Sequence, residues 1–246
     1  MVIRMSIAAA FLAMVLSACN NNEQGIATSS TALQGSSQPQ EKPKPSVKKP
    51  LRIEEIDFSK SPGVIRPAAF GYYFGLTKEQ IEGAGIELET KNEDDTMAAV
   101  STASAPIPWA DAESYLLIFH EGKLLKITAI GKDITNDATG SEGKAKYKDL
   151  RDSLTEKYGK PSKSMHSVGN RLWDKADEFY QCLAYNGCGV WIDLWSGGDR
   201  TIAISLHGGG RRGEGFIKII YEAQPEWDAA VDALNANKKL KTKKGL

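Results

Sequence analysis

Between residues 114 and 222 the apolar positions fall into runs of strand length and one stretch of helical spacing. "SYLLIF" (114–119) and "KLLKITAI" (123–130) flank the turn residues "HEGK", which predicts a β-hairpin. In "KAKYKDLRDSLTEKYGKP" (144–161), Tyr147, Leu150, Leu154 and Tyr158 recur on one helical face, and Gly159 and Pro161 supply the stop. Four further strand candidates, 179–185, 189–195, 200–206 and 215–222, are separated by "NG", "SGGD" and "GGGRRGEG", the punctuation of an antiparallel meander. "QPEWDAAVDALNANKKL" opens a last helix, with Pro225 in its first turn and Trp227, Ala230, Val231 and Leu234 on one stripe. Upstream, Thr77 and Gln80 stand at capping-box spacing and start a short helix that Gly83 and Gly85 end. The polar, small-residue stretch 90–105 reads as a loop.

The order is helix, hairpin, helix, meander, helix. It predicts an α+β fold with helices packed on one face of an antiparallel β-meander. Residues 51–236 form the globular domain, long enough for one core or two small ones. Two halves of helix followed by strands are conceivable, but no residue-level repeat connects them. Residues 237–246 are a Lys-rich tail carrying Lys238, Lys239, Lys241, Lys243 and Lys244. Near a membrane such a cluster gains about 1 kcal/mol per cation from anionic lipid; otherwise it is a solvated helix end that suits the C-terminal dipole.

The first fifty residues change the setting. Arg4 precedes an apolar run from Ile7 to Leu16 that is too short to span a bilayer, the pattern of an export signal. Its end, "LSAC" at Leu16 to Cys19, resembles the lipobox of bacterial lipoproteins. The resemblance implies cleavage after residue 18 and acylation of Cys19, and several fatty chains make such an anchor stable. Asn20 in place of aspartate implies the outer membrane by resemblance to enterobacterial lipoproteins, with the leaflet undetermined. Residues 19–50 then form the lipidated cysteine and a tether rich in Asn, Gln, Ser, Pro and Lys, which has too little to bury to offset its ordering entropy. A flexible tether of this length spans about 30 Å, and its prolines extend it. Loss of residues 1–18 removes only Arg4 from 31 basic residues facing 31 acidic ones, so no basic field draws nucleic acid.

A second resemblance lies at the entry to the first helix. Phe70, Gly71, Phe74, Gly75, Leu76, Thr77, Glu79, Gln80 and Ile81 resemble the corresponding run in small envelope lipoproteins of the SmpA/OmlA type. That implies an α+β fold of helices against a short antiparallel sheet, and a role as accessory subunit of outer-membrane protein assembly. The chain departs from that family in its greater length and in "GAGIEL", where the family has G-x-P.

Candidate chemistry is sparse. In "HGGGRRG", Gly208, Gly210 and Gly213 fit G-x-G-x-x-G, but a strand follows where a dinucleotide site needs a helix. Glu214 and Gly215 stand where a phosphate loop needs Lys and Ser or Thr. His207 to Gly210 match the oxyanion strand of lipases, yet there is no G-x-S-x-G elbow. The plain reading is a hairpin tip with two exposed arginines. His120, His166 and His207 are scattered, with no second histidine at i+3 or i+4, so neither a metal nor a small-molecule cofactor is expected. On a strand Trp191, Asp193 and Trp195 share one face. If wet, that face suits a glycan or protein partner; if it packs under a helix, Asp193 sits at an edge.

Cys182 and Cys188 pose a choice. A two-residue "NG" hairpin would hold them about 10 Å apart along the ladder, beyond the 7 Å or so that a disulfide allows. Either the turn is tight and the thiols are free, or the bond forms and residues 183–187 become a looser loop. An oxidising compartment favours the bond. The functional expectation is a non-enzymatic, lipid-anchored envelope protein that binds another envelope protein, with Trp191, Trp195, Arg211 and Arg212 as first binding candidates. Two alternatives are an inhibitor inserting "GGGRRGEG" or the cysteine-bounded loop into a hydrolase, and a cell-wall hydrolase for which no acid, base and nucleophile can be named.

Overall fold

The computed structural model of the chain describes residues 53–56, 64–94, 96–169 and 172–244. The expected signal peptide and tether, with Cys19, lie outside the described residues.

Two short strands, β1 (Arg66–Pro67) and β2 (Tyr73–Phe74), pair antiparallel ahead of helix α1 (Lys78–Gly83). Thr77 caps α1 in a reciprocal box: its side chain accepts from Gln80 N–H, and the Gln80 side chain accepts from Thr77 N–H. A first meander follows: β3 (Glu89–Glu93), β4 (Met97–Thr102), β5 (Ala112–His120) and β6 (Lys123–Gly131). The β5–β6 turn places Glu121 and Gly122 both at positive φ, 49° and 75°, the twist that matches a tight hairpin. Helix α2 (Ser141–Tyr158) leads to a second meander: β7 (Lys163–Ser167), β8 (Val190–Gly197), β9 (Arg200–Gly208) and β10 (Gly215–Ala223). Helix α3 (Phe179–Ala184) lies between β7 and β8, and α4 (Glu226–Lys244) closes the described chain.

The eight strands form one antiparallel sheet in the order β3-β4-β5-β6-β10-β9-β8-β7. Each meander ends on its innermost strand, and the two join along β6 and β10, with Lys218 opposite Ile130 and Tyr221 opposite Ile127. The fold is α+β, as the order of elements predicts.

Two expectations need correction. Residues 90–105 are not a loop, because β3 and β4 occupy most of them. In β4 alternate residues Ala98, Val100 and Thr102 are buried, an alternation muted by small side chains, while every residue of β3 is exposed. Residues 179–185 are not a strand: α3 spans most of them, with Phe179, Tyr180 and Cys182 buried. Aromatic side chains that favour strands in isolation are here fixed by tertiary packing. The second meander's outer strand is instead β7, whose residues are mostly exposed and carry little hydrophobic signal.

One face of the sheet carries the core. Leu117, Ile127, Tyr221, Ile219, Ile204, Ile202 and Trp195 point to it, joined by Tyr72, Phe74, Leu76 and Ile81 from the N-terminal segment and by Tyr147 and Leu154 from α2. Tyr180 of α3 lies over the facing pair Gly208 and Gly215, where any Cβ would collide with it, and beside Gly143 of α2. Within the "GGGRRGEG" region Gly215 therefore leaves space for the buried ring, and Gly208 for the α3 backbone at Tyr180 and Ala184. Asp137 completes the arrangement: its Oδ2 accepts from Gly143 N–H at 2.9 Å and from the Tyr180 hydroxyl at 3.0 Å. Gly140 at the α2 N-cap makes no side-chain cap bond, so Asp137 satisfies that helix end from outside it. Burial opposes ionisation of Asp137, but these donors outweigh it and hold its carboxyl below the usual range.

Cys182 and Cys188 form a disulfide with Cα atoms 5.1 Å apart. It ties the end of α3 to the start of β8. The strand ladder that made the bond impossible does not exist, because residues 179–184 are helical. Replacing both cysteines by alanine is expected to lower unfolding stability by about 2 kcal/mol, the chain-entropy value for so short a ring, measurable by urea titration with and without reductant.

Candidate functional site

The side chains on the helix-covered face include three of the residue types used in hydrolysis. Asp193 of β8 is 0 % exposed. Its Oδ2 accepts from the Tyr147 hydroxyl at 2.9 Å and from His166 Nε2 at 3.1 Å, and Arg151 Nε lies 3.0 Å away. Ser164 donates to its Oδ1. A carboxylate only accepts, so His166 carries its proton on Nε2. Ser164 bonds Asp193 rather than His166, so the trio lacks the contact between nucleophile and base that acyl transfer requires. What the cluster does is join α2, β7 and β8. Burial first, and then the Asp193 charge, push the Tyr147 phenol far above its ordinary range and keep it a donor.

Trp191 is stacked on His166 with ring centroids 4.8 Å apart and meets Phe179 edge-on. Trp195 is 5 % exposed, and its indole N–H donates to Gly159 O at 2.8 Å. The tryptophan face is therefore the covered one, and Asp193 is buried one strand in from the edge. Arg211 and Arg212 do sit at an exposed tip. Arg212 pairs with Asp177, and Arg211 lies 3.9 Å from Glu214.

The opposite face of the sheet is read directly from the register. One row crosses it as Met165, Ile192, Ser205, Lys218, Ile130 and Ser114. The next runs through Leu194, Ala203, Ile220, Thr128 and Leu116. Ala203 and Ser205 are small and buried, whereas Ile192, Leu194, Lys218 and Ile220 on either side are partly exposed. Strand β9 is thus the floor of a shallow, narrow trough between β8 and β10, strands whose axes stand about 10 Å apart, two inter-strand spacings. The described helices α1, α2 and α3 pack on the other face. Only the start of α4 approaches this one, where the Trp227 ring lies 4.8 Å from Lys126 Nζ.

At one end of the trough His207 Nε2 lies 2.8 Å from Ser205 Oγ, and its ring stacks on Phe216 at 5.3 Å. Burial first, and then the Lys218 charge, lower its pKa from 6.5 to about 4. Phe216 and Lys218 face this imidazole where an orienting carboxylate would be needed for a catalytic pair. The unfolded chain takes up this proton first as pH falls, so His207 costs stability progressively between pH 6.5 and about 4. His207→Phe is expected to flatten the stability profile across that window in urea titrations at stepped pH. An unchanged profile would place the acid sensitivity elsewhere.

A second exposed feature gathers at the disulfide. Gly169 N–H points at Cys182 Sγ at 3.0 Å, and Leu172 O touches Cys188 Sγ. Val168, Leu172 and Tyr185, 39 %, 48 % and 50 % exposed, stand around it. A small cavity of about 130 Å³ beside Arg66 and Phe74 is well below the volume of a typical ligand site, and its guanidinium is already paired with Glu226 at 2.6 Å. Among the described residues no three His, Cys, Asp or Glu side chains are placed to hold a metal, and no helix is long and apolar enough to cross a membrane.

The sequence pointed to the tryptophans and missed the trough. Its signal was present in "FIKIIYE", where the inward parity of β10 is wholly apolar and the outer one mixes Phe216 and Ile220 with Lys218 and Glu222. Compared with protein families, with curated proteins and with solved structures, the chain matches none.

Proposed function

We propose that this is a lipid-anchored protein of the bacterial envelope, held through Cys19, whose α+β domain binds another envelope protein on the open face of its sheet. The observation that supports this reading most is the aliphatic face that the described helices leave largely uncovered, a partly exposed row-by-row arrangement of Ile192, Leu194, Ile220, Ile130 and Leu116. Monomeric proteins rarely leave so contiguous an apolar surface open without a partner. The lipobox resemblance at "LSAC" supports the address, and the tether supports action away from the lipid surface.

The anchor and the surface are tested separately. Cys19→Ala is expected to move the protein from the membrane fraction to the soluble one. A photo-crosslinking residue at Ile220 is expected to capture one envelope protein, while the same residue at Glu142 on α2 captures none. Crosslinking only from Arg211 or Tyr185 would sink the sheet-face reading. It would favour a second reading, hydrolase inhibition through the loop clasped by Cys182 and Cys188, which the exposed Leu172 and Tyr185 support.

A further inference from the structure

Lys218 is out of place by its surroundings. It sits mid-sheet on β10, half-buried, with Ser205 and Ile130 beside it on the neighbouring strands. The other lysine in the middle of this face, Lys126, is paired with Glu222 at 2.8 Å, so that carboxylate is taken. Glu222 also lies four residues along the strand from Lys218, about 13 Å away. Lys218 Nζ lies over the Phe216 ring, 5.2 Å from its centroid. Burial, and then the charge of Lys126, weaken its hold on the proton. A cation that gives up water without gaining an anion costs the free protein stability, and an aliphatic side chain would suit the site better.

We infer that the open face docks a segment of its partner in which an Asp or Glu is flanked by aliphatic residues. The carboxylate pairs with Lys218 above Ser205, and the aliphatic side chains lie on Ile192, Ile130 and Ile220. The apolar rows supply area, and the buried charge pair fixes register and rejects segments without an acid. This rests on the sheet-face reading above and adds the chemistry of the partner to it.

The probe is a displayed library of random peptides selected against the full chain in detergent. Enriched peptides are expected to share an acidic residue between aliphatic ones. Lys218→Glu should weaken them by about a hundredfold, and changing the peptide's acid to lysine should restore binding. Lys218→Met should raise the Tm of the unliganded protein; an unchanged or lower Tm would mean the ammonium is already satisfied and would overturn the inference. Peptides without an acid, or peptides indifferent to Lys218→Glu but lost on Ile220→Asp, would overturn the charge pairing and leave the sheet-face reading standing. Peptides indifferent to both substitutions would defeat both, and failure to enrich any peptide would overturn the linear-segment inference alone.

Discussion

Asp193→Ala is expected to lower the unfolding free energy by about 3 kcal/mol, because one buried carboxylate serves four partners at once. The partners do not suffer equally. Tyr147, on α2 and 2 % exposed, cannot turn to water, and its remaining acceptor is Ile204 O at 3.3 Å. Arg151, His166 and Ser164 are part-exposed and recover hydration, which keeps the loss below that of a fully enclosed ion pair. Ser164→Ala, which removes one donor at the solvent edge, is expected to cost about 1 kcal/mol. Urea titrations of the two variants check the ratio. Near-equal losses would mean that the cluster is hydrated throughout.

Tyr180→Ala is expected to cost about 4 kcal/mol, the range for deleting a large buried ring. Tyr180→Phe should cost about 1 kcal/mol, since only the bond to Asp137 is lost. The sharper measurement is a double-mutant cycle. Gly215→Ala alone drives a methyl into the Tyr180 ring and should destabilise strongly, but in the Tyr180→Ala background the ring clash is gone and the close approach to the His207 carbonyl oxygen, 2.6 Å, is what remains. The two losses should therefore fall far short of adding, with a coupling of about 2 kcal/mol measurable by calorimetry. Additive losses would show that Gly215 is required for its backbone rather than for the ring.

Where hydrophobic rhythm was strong, the chain was legible. The hairpin at 112–131, helix α2 and strands β8, β9 and β10 all follow from apolar spacing and turn residues. Strands β3 and β7 were not, because an edge strand exposes most of its side chains and so carries no alternation to read. Helix α3 was misread because Phe179, Tyr180 and Cys182 owe their helical state to contacts with β9 and to the Cys188 bond, both remote from local propensity. The candidate site was harder still. The sequence could place Trp191, Asp193 and Trp195 on one face of a strand, but only the position of α2 decides that this face is the covered one. The trough depends on residues from three neighbouring strands, and no local pattern brings Ile192, Ser205 and Lys218 together.

The seam between β6 and β10 has a kinetic meaning. During synthesis the first meander is complete when Gly131 emerges, yet its innermost strand, with Leu124, Ile127 and Ala129 destined for burial, has no neighbour on one side until Gly215–Ala223 arrives. For that interval the nascent chain carries an open apolar edge, the kind of template on which strands of other molecules aggregate. Cutting the chain between the meanders would make that interval permanent. The two halves look like separable modules in their order of elements, but neither is a domain that can be expressed safely by itself.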